Sequence, residues 1–184
     1  MRFFFLDASH SSVQARKAIE LIASFGNTIS DDRDYLHSTI MYLCGYDIAQ
    51  YEKQVYPAIA SVEWEPFNIS FGQAVCNFDS YTSHGRSNST SIILLLDNST
   101  QTVLSALVQR FEQAIRAQGL PVSPRSEMEP FHCTLAVVPP GFPVSEALDA
   151  VNAQFKDWTD GQGPILISEI ASLLPPKTFH SRKE

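Results

Sequence analysis

Two five-residue stretches constrain this chain more than any other feature. Leu36-His37-Ser38-Thr39-Ile40 and Phe131-His132-Cys133-Thr134-Leu135 both read apolar, His, any residue, Thr, apolar. Residues two apart in a β-strand point to one face. Each stretch, as a strand, therefore sets an imidazole beside a hydroxyl on one surface, with apolar side chains anchoring it from behind. With five His and nine Thr in 184 residues, about 0.24 His-x-Thr triplets arise by chance, and two with four apolar flanks arise about once in a thousand such chains.

The surroundings of the two stretches repeat in order. Residues 2–7 read as a short buried strand. Residues 12–25 carry Val13, Ala18, Ile19, Leu21, Ile22 and Phe25 at the spacing of an amphipathic helix, closed by Gly26-Asn27. A polar turn over 30–34, a strand over 36–43, a helix over 48–61 and a strand-like run over 67–78 follow. The small, polar segment 80–90 is a loop or hinge. Beyond it come a strand at 92–96, a helix at 102–118 ending at Gly119 and a Pro-rich turn at 121–130. A strand at 131–138, a helix at 145–158 and a strand at 165–173 complete the chain. Pseudo-repeats over about 1–79 and 91–174, linked by that loop within one domain 1–184, imply an ancient duplication. The fold class expected is α+β: a bilobal, duplicated arrangement of two antiparallel-type sheets facing a central cleft, with helices packed outside.

Composition sets the class of partner. At 44% hydrophobic and 18% charged residues, the chain has material for a packed core and too little charge for disorder. Its net charge of −7 opposes the phosphate neutralisation on which binding to long DNA or RNA depends, so no long nucleic acid is expected. No run reaches the roughly 18 apolar residues of a membrane span, and Phe3-Phe4-Phe5-Leu6 is cut short by Asp7 before it resembles a secretory segment. Three cysteines, Cys44, Cys76 and Cys133, cannot all pair within the chain. A reducing, cytoplasmic setting is expected, and the Asn-x-Ser/Thr triplets at Asn68, Asn88 and Asn98 then count as composition.

Two imidazoles and two hydroxyls facing one another suit phosphodiester chemistry. Histidine, with an unperturbed pKa of about 6.5, supplies a base in one copy and an acid in the other near neutral pH. Cleavage at phosphorus needs a proton removed from the attacking oxygen and another given to the leaving oxygen. The threonine hydroxyls donate to the non-bridging oxygens as charge builds there. This scheme calls for no metal and no other cofactor, and spacings such as His-Glu-x-x-His or Cys-x-x-Cys are missing from the sequence.

On these paired motifs, the duplicated layout and the chain length, the chain resembles the two-histidine (2H) phosphoesterases. That superfamily includes RNA 2',3'-cyclic phosphodiesterases and 2',5'-phosphodiesterases. The resemblance implies that His37, Thr39, His132 and Thr134 hold the catalytic positions, without metal, on a small nucleotide or short oligonucleotide. It leaves open a 2',3'-cyclic phosphate against a 2'-5' or 3'-5' linkage, and which imidazole is the base. The alternative from another class is a nucleotide-binding sensor or sequestering module that uses the same cleft without turnover.

Further candidates for contacting substrate are Tyr35, two residues before His37, for stacking on a base; Tyr42, which strict alternation turns away from His37; and Arg86, in the polar loop, for a phosphate. His10, His84 and His180 lack the flanking pattern and read as surface residues. Cys133 falls on the core face, where an inert thiol is expected. A monomer is the default.

Overall fold

The computed structural model describes residues 2–7, 13–31, 36–43, 45–77, 89–122, 130–156, 158, 164–173 and 176–182. Its elements in chain order are β1 (Arg2–Asp7), α1 (Val13–Ser24), β2 (Ser30–Asp31), β3 (His37–Leu43), α2 (Ile48–Gln50), a π-helical turn (Tyr51–Val55), α3 (Tyr56–Ala60), β4 (Phe67–Ile69) and β5 (Phe71–Asn77). The chain continues through β6 (Thr90–Leu96), α4 (Asn98–Ala117), β7 (His132–Val138), α5 (Val144–Gln154), β8 (Ile165–Ile167), β9 (Glu169–Leu173) and β10 (Pro176–His180).

The expected α+β class with antiparallel sheets is what the molecule has. One part of the main sheet runs β10-β9-β1-β3 and the other β7-β6-β5, with β2 also on β7. Every pairing among the described strands is antiparallel. Among the described residues, the two parts meet between β3 and β7 at a single residue pair, Ser38 opposite Cys133. A separate two-stranded ribbon joins β4 to β8.

The halves of the chain are interleaved. β5, from the first half, hydrogen-bonds to β6 of the second, and β9, from the second, to β1 of the first. The helices cross over too. Ala15, Ala18, Ile19 and Ile22, at helical spacing on one face of α1, join Val151 of α5 against Ile92, Leu94, Leu135 and Ala136 of the second-half strands. Leu104, Val108, Phe111 and Ile115 of α4 join Tyr51, Val55 and Ile59 against Ile40, Met41, Ile170 and Phe179. Each core therefore draws on both halves.

Several elements depart from the expected spans for identifiable reasons. The helical run from 48 is broken by a π turn in which the Tyr56 amide donates to the Tyr51 carbonyl. Pro57 follows directly, and a proline ring has no N–H and crowds the carbonyl four residues back, which the wider turn relieves. The run 67–78 is two strands. At the break, the Ser70 amide donates to Thr100 Oγ1 at 3.0 Å and its carbonyl accepts from the Asp97 amide at 2.8 Å. The run 165–173 divides the same way at Ser168, whose carbonyl accepts from the Ser181 amide at 2.8 Å. β2 lies where a turn was expected, and β10 was not foreseen from the sequence. α5 stops at Gln154, because Phe155 leaves helical geometry and its ring packs 5.5 Å from that of Trp158.

α4 begins at Asn98, four residues earlier than expected, because Asp97 caps it: Oδ1 accepts from the Thr100 amide at 2.8 Å. It ends as expected at Gly119, whose φ of +75° suits the left-handed residue that closes a helix. Burial alone would push the Asp97 carboxyl up. The hydrogen bonds from Thr100 and Ser99 together outweigh it and hold the group below its ordinary value. As pH falls, the unfolded chain therefore takes up this proton first. The stabilisation is complete above about pH 5 and is lost on acidification through about pH 4 and below. Asp97→Ala should cost about 1 kcal/mol in urea unfolding at pH 7. Asp97→Asn, which keeps a cap but no charge, should differ from the parent less at pH 3 than at pH 7. A gap that widens on acidification would overturn this account.

Candidate active site

β3 and β7 present the two motifs in the same way. Leu36, Ser38 and Ile40 are buried and His37 and Thr39 half-buried; Phe131, Cys133 and Leu135 are buried and His132 and Thr134 half-buried. This is period-2 alternation with the polar pair outward in both copies. Each motif is also pinned in two cores at once. Leu36 sits in the cluster beneath β7 and Ile40 in that beneath β3, while Phe131 and Leu135 reverse the assignment. The His-x-Thr segments thus span the seam where each strand passes from one core to the other.

Register brings the four polar residues together. With Ser38 opposite Cys133 in an antiparallel pair, His37 falls toward Thr134 and Thr39 toward His132, all four on the face opposite the buried Ser38 and Cys133. Facing positions on adjacent strands lie about 5 Å apart and diagonal ones roughly 7–8 Å. The two histidines therefore stand on a diagonal of that face.

Both strands carry a bulge at the same place. The β1–β3 register slips at Ile40, skipped between Phe5 opposite Thr39 and Phe4 opposite Met41. The β6–β7 register slips at Leu135, between Ile93 opposite Thr134 and Ile92 opposite Ala136. A bulge bends its strand and increases the local twist; here it follows each threonine directly. It also resets alternation, which is why Ile40 and Met41 are both buried, as are Leu135 and Ala136. Alternation counted from His37 therefore no longer assigns faces beyond Ile40.

The His132 ring is held by its own strand entry. Nδ1 lies 2.7 Å from the Pro130 carbonyl, and a carbonyl only accepts, so Nδ1 carries the proton in this contact. The Pro130–Phe131 backbone is in turn clamped by Gln101. Its Nε2 donates to the carbonyls of Phe131 at 2.7 Å and Leu96 at 3.1 Å, and its Oε1 accepts from the Phe131 amide at 2.8 Å. Sequence reasoning missed Gln101 because the helix was expected to start after it. Asp97 at the end of a strand, followed by Asn-Ser-Thr, was the cap signal available.

Of the other candidates, Tyr35 and Arg86, with His10 and His84, lie outside the described residues. Tyr42 stands in β3 opposite Phe3, and its side chain is outside the described residues. His180 is an exposed residue, on β10. Cys133 is fully buried, as the alternation requires. Among the described residues, no three His, Cys, Asp or Glu side chains are grouped to hold a metal ion, and no helix is long and apolar enough to cross a membrane.

No protein-family model and no curated protein matches the chain by sequence. In fold it is similar to Usb1 of Kluyveromyces marxianus, at 12% identity over 97% of each chain with a TM-score of 0.63. The same protein with uridine monophosphate matches at 14% identity, again over 97% of each chain, with a TM-score of 0.59. E. coli LigT complexed with 3'-AMP matches at 18% identity over 93% of this chain and 85% of that one, with a TM-score of 0.58. Usb1 and LigT belong to the 2H phosphoesterases, and the chain has the fold of that superfamily.

Gln101→Leu keeps the length and removes the amide, leaving the Phe131 amide without its acceptor. It should cost about 1–3 kcal/mol in urea unfolding and raise hydrogen exchange at Phe131; unchanged exchange there would refute the clamp. Ser38 Oγ is buried with no hydrogen-bond partner among the described residues. Ser38→Ala should therefore leave thermal stability equal or higher, and a loss above about 1 kcal/mol would reveal a bond that the hydroxyl makes.

Proposed function

We propose that the protein is a phosphodiesterase that cleaves a small nucleotide or short oligonucleotide by general acid and base catalysis from His37 and His132, with no metal in the scheme. One imidazole takes a proton from the attacking oxygen as it bonds to phosphorus. The other gives a proton to the ribose oxygen as its bond to phosphorus breaks. If water attacks, a 2',3'-cyclic phosphate is opened; if a neighbouring ribose hydroxyl attacks, a 2'-5' or 3'-5' linkage is cut to a cyclic phosphate. Thr39 and Thr134 donate to the non-bridging oxygens, where charge grows in the transition state.

The observation that carries this reading is the pairing of Ser38 with Cys133, which gathers two imidazoles and two hydroxyls from distant parts of the chain on one face. The 2H fold supports it. So do the small nucleotides in the two similar structures, uridine monophosphate with Usb1 and 3'-AMP with LigT. The net charge of −7 weights the substrate toward short rather than long nucleic acid, and a cytoplasmic setting goes with the same reading.

The test is turnover in EDTA on 2',3'-cyclic mononucleotides and on 2'-5' and 3'-5' oligoadenylates. His37→Ala and His132→Ala should each reduce kcat by about 10²–10⁴-fold, and Thr39→Val or Thr134→Val by about a hundredfold, with folded protein in every case. Near-parental rates in either histidine variant would overturn the two-imidazole mechanism. Tight nucleotide binding without product over hours would mark a sensor instead.

A further inference from the structure

The face that carries His37 and Thr39 continues to the far edge of its sheet. Thr39 stands opposite Phe5, Phe5 opposite Ala171, and Ala171 opposite Thr178. One line thus crosses β3, β1, β9 and β10. Two residues along from Ala171 and Thr178, Glu169 stands opposite His180. At about 4.8 Å per strand, β10 lies about 14 Å from β3.

The outer strands show the same face as the motif. Ser172 is buried and its Oγ lies 3.1 Å from the Tyr56 hydroxyl of α3. Phe179 packs 5.7 Å from the Tyr56 ring, and Ile170 lies in the same core. These three point to the helices. Alternation then turns Glu169, Ala171, Thr178 and His180 to the opposite side, the one shared with His37 and Thr39.

His180 and Glu169 form a pair there, with Nδ1 3.1 Å from Oε1 and side chains 58% and 60% exposed. An exposed pair of this kind contributes little to stability. A carboxylate only accepts, so Nδ1 is the donor in this pair, and both side chains are more than half exposed. Thr178 is exposed, and the short side chain of Ala171 stands between β1 and β10. A carboxylate repels phosphate but accepts strongly from a base amino group, a ring N–H or ribose hydroxyls.

Building on the reading of the shared face as a phosphodiester site, we propose that Glu169, His180 and Thr178 form a subsite for a nucleoside one or two residues from the scissile phosphate. The substrate class is then an oligonucleotide with a nucleoside beyond the reacting one, rather than a lone mononucleotide. Glu169 accepts from the base edge or ribose hydroxyls, and His180, oriented by Glu169, contacts the same nucleoside through Nε2.

The test is calorimetric titration of the full chain carrying His132→Ala, so that cleavage is slowed, with two probes: 3'-AMP and the trinucleotide triadenylate. The trinucleotide should bind about tenfold tighter, the worth of one hydrogen bond to a charged group. Adding Glu169→Gln or His180→Ala should remove most of that advantage and leave 3'-AMP affinity unchanged. Equal affinity for the two probes, an advantage that survives both substitutions, or an equal loss on both probes would each overturn the subsite. The first two outcomes leave the mononucleotide site standing. Failure of 3'-AMP and triadenylate alike to bind would instead refute the phosphodiester reading and the subsite with it.

Discussion

A single backbone pairing, Ser38 with Cys133, is the contact on which the arrangement depends. It is the only register pair between β3 and β7 among the described residues, and each strand is secured on either side of it by apolar residues in different cores: Leu36 and Ile40, Phe131 and Leu135. Burying a side chain of this size is worth about 1.5–3 kcal/mol, so four such anchors hold the seam far more firmly than one pair of hydrogen bonds does. The polar face that results is fixed by hydrophobic burial on the other side of the strands.

Interleaving makes that seam cooperative. β5 closes on β6 and β9 on β1, while α1 and α4 each cover strands of the other half. Neither half of the chain completes a sheet or a core without the other, so the imidazoles approach only when the whole molecule has folded. A face built from strands with matched bulges is preorganised, since backbone pairing and burial fix where its side chains stand. The Asp97 cap, the Gln101 clamp and the Pro130 carbonyl extend that order from α4 to the His132 ring.

Similarity in fold to Usb1 and LigT at 12–18% identity is intelligible in these terms. What the seam demands is apolar residues on its buried face, and cores accept many apolar residues of suitable volume. The demand on identity falls on few positions. The fold by itself does not fix an activity, since one fold hosts many.

The sequence by itself determined the faces. Period-2 alternation around His37 and His132 and the helical spacing of Ile19 and Ile22 are local properties, as is the stop at Gly119, and each set burial before any partner was known. Only the tertiary structure decided which strands pair. Exchange between halves, the breaks at Ser70 and Ser168, the short β2, and β10 depend on backbone bonds that nearly any side chain permits. The bulges at Ile40 and Leu135 arise from register between strands, and the π turn from fitting Pro57 into a buried helix. Gln101 was invisible for the same reason. A residue's type says what it can bond to, whereas what stands opposite it is set by strand order, and strand order is non-local.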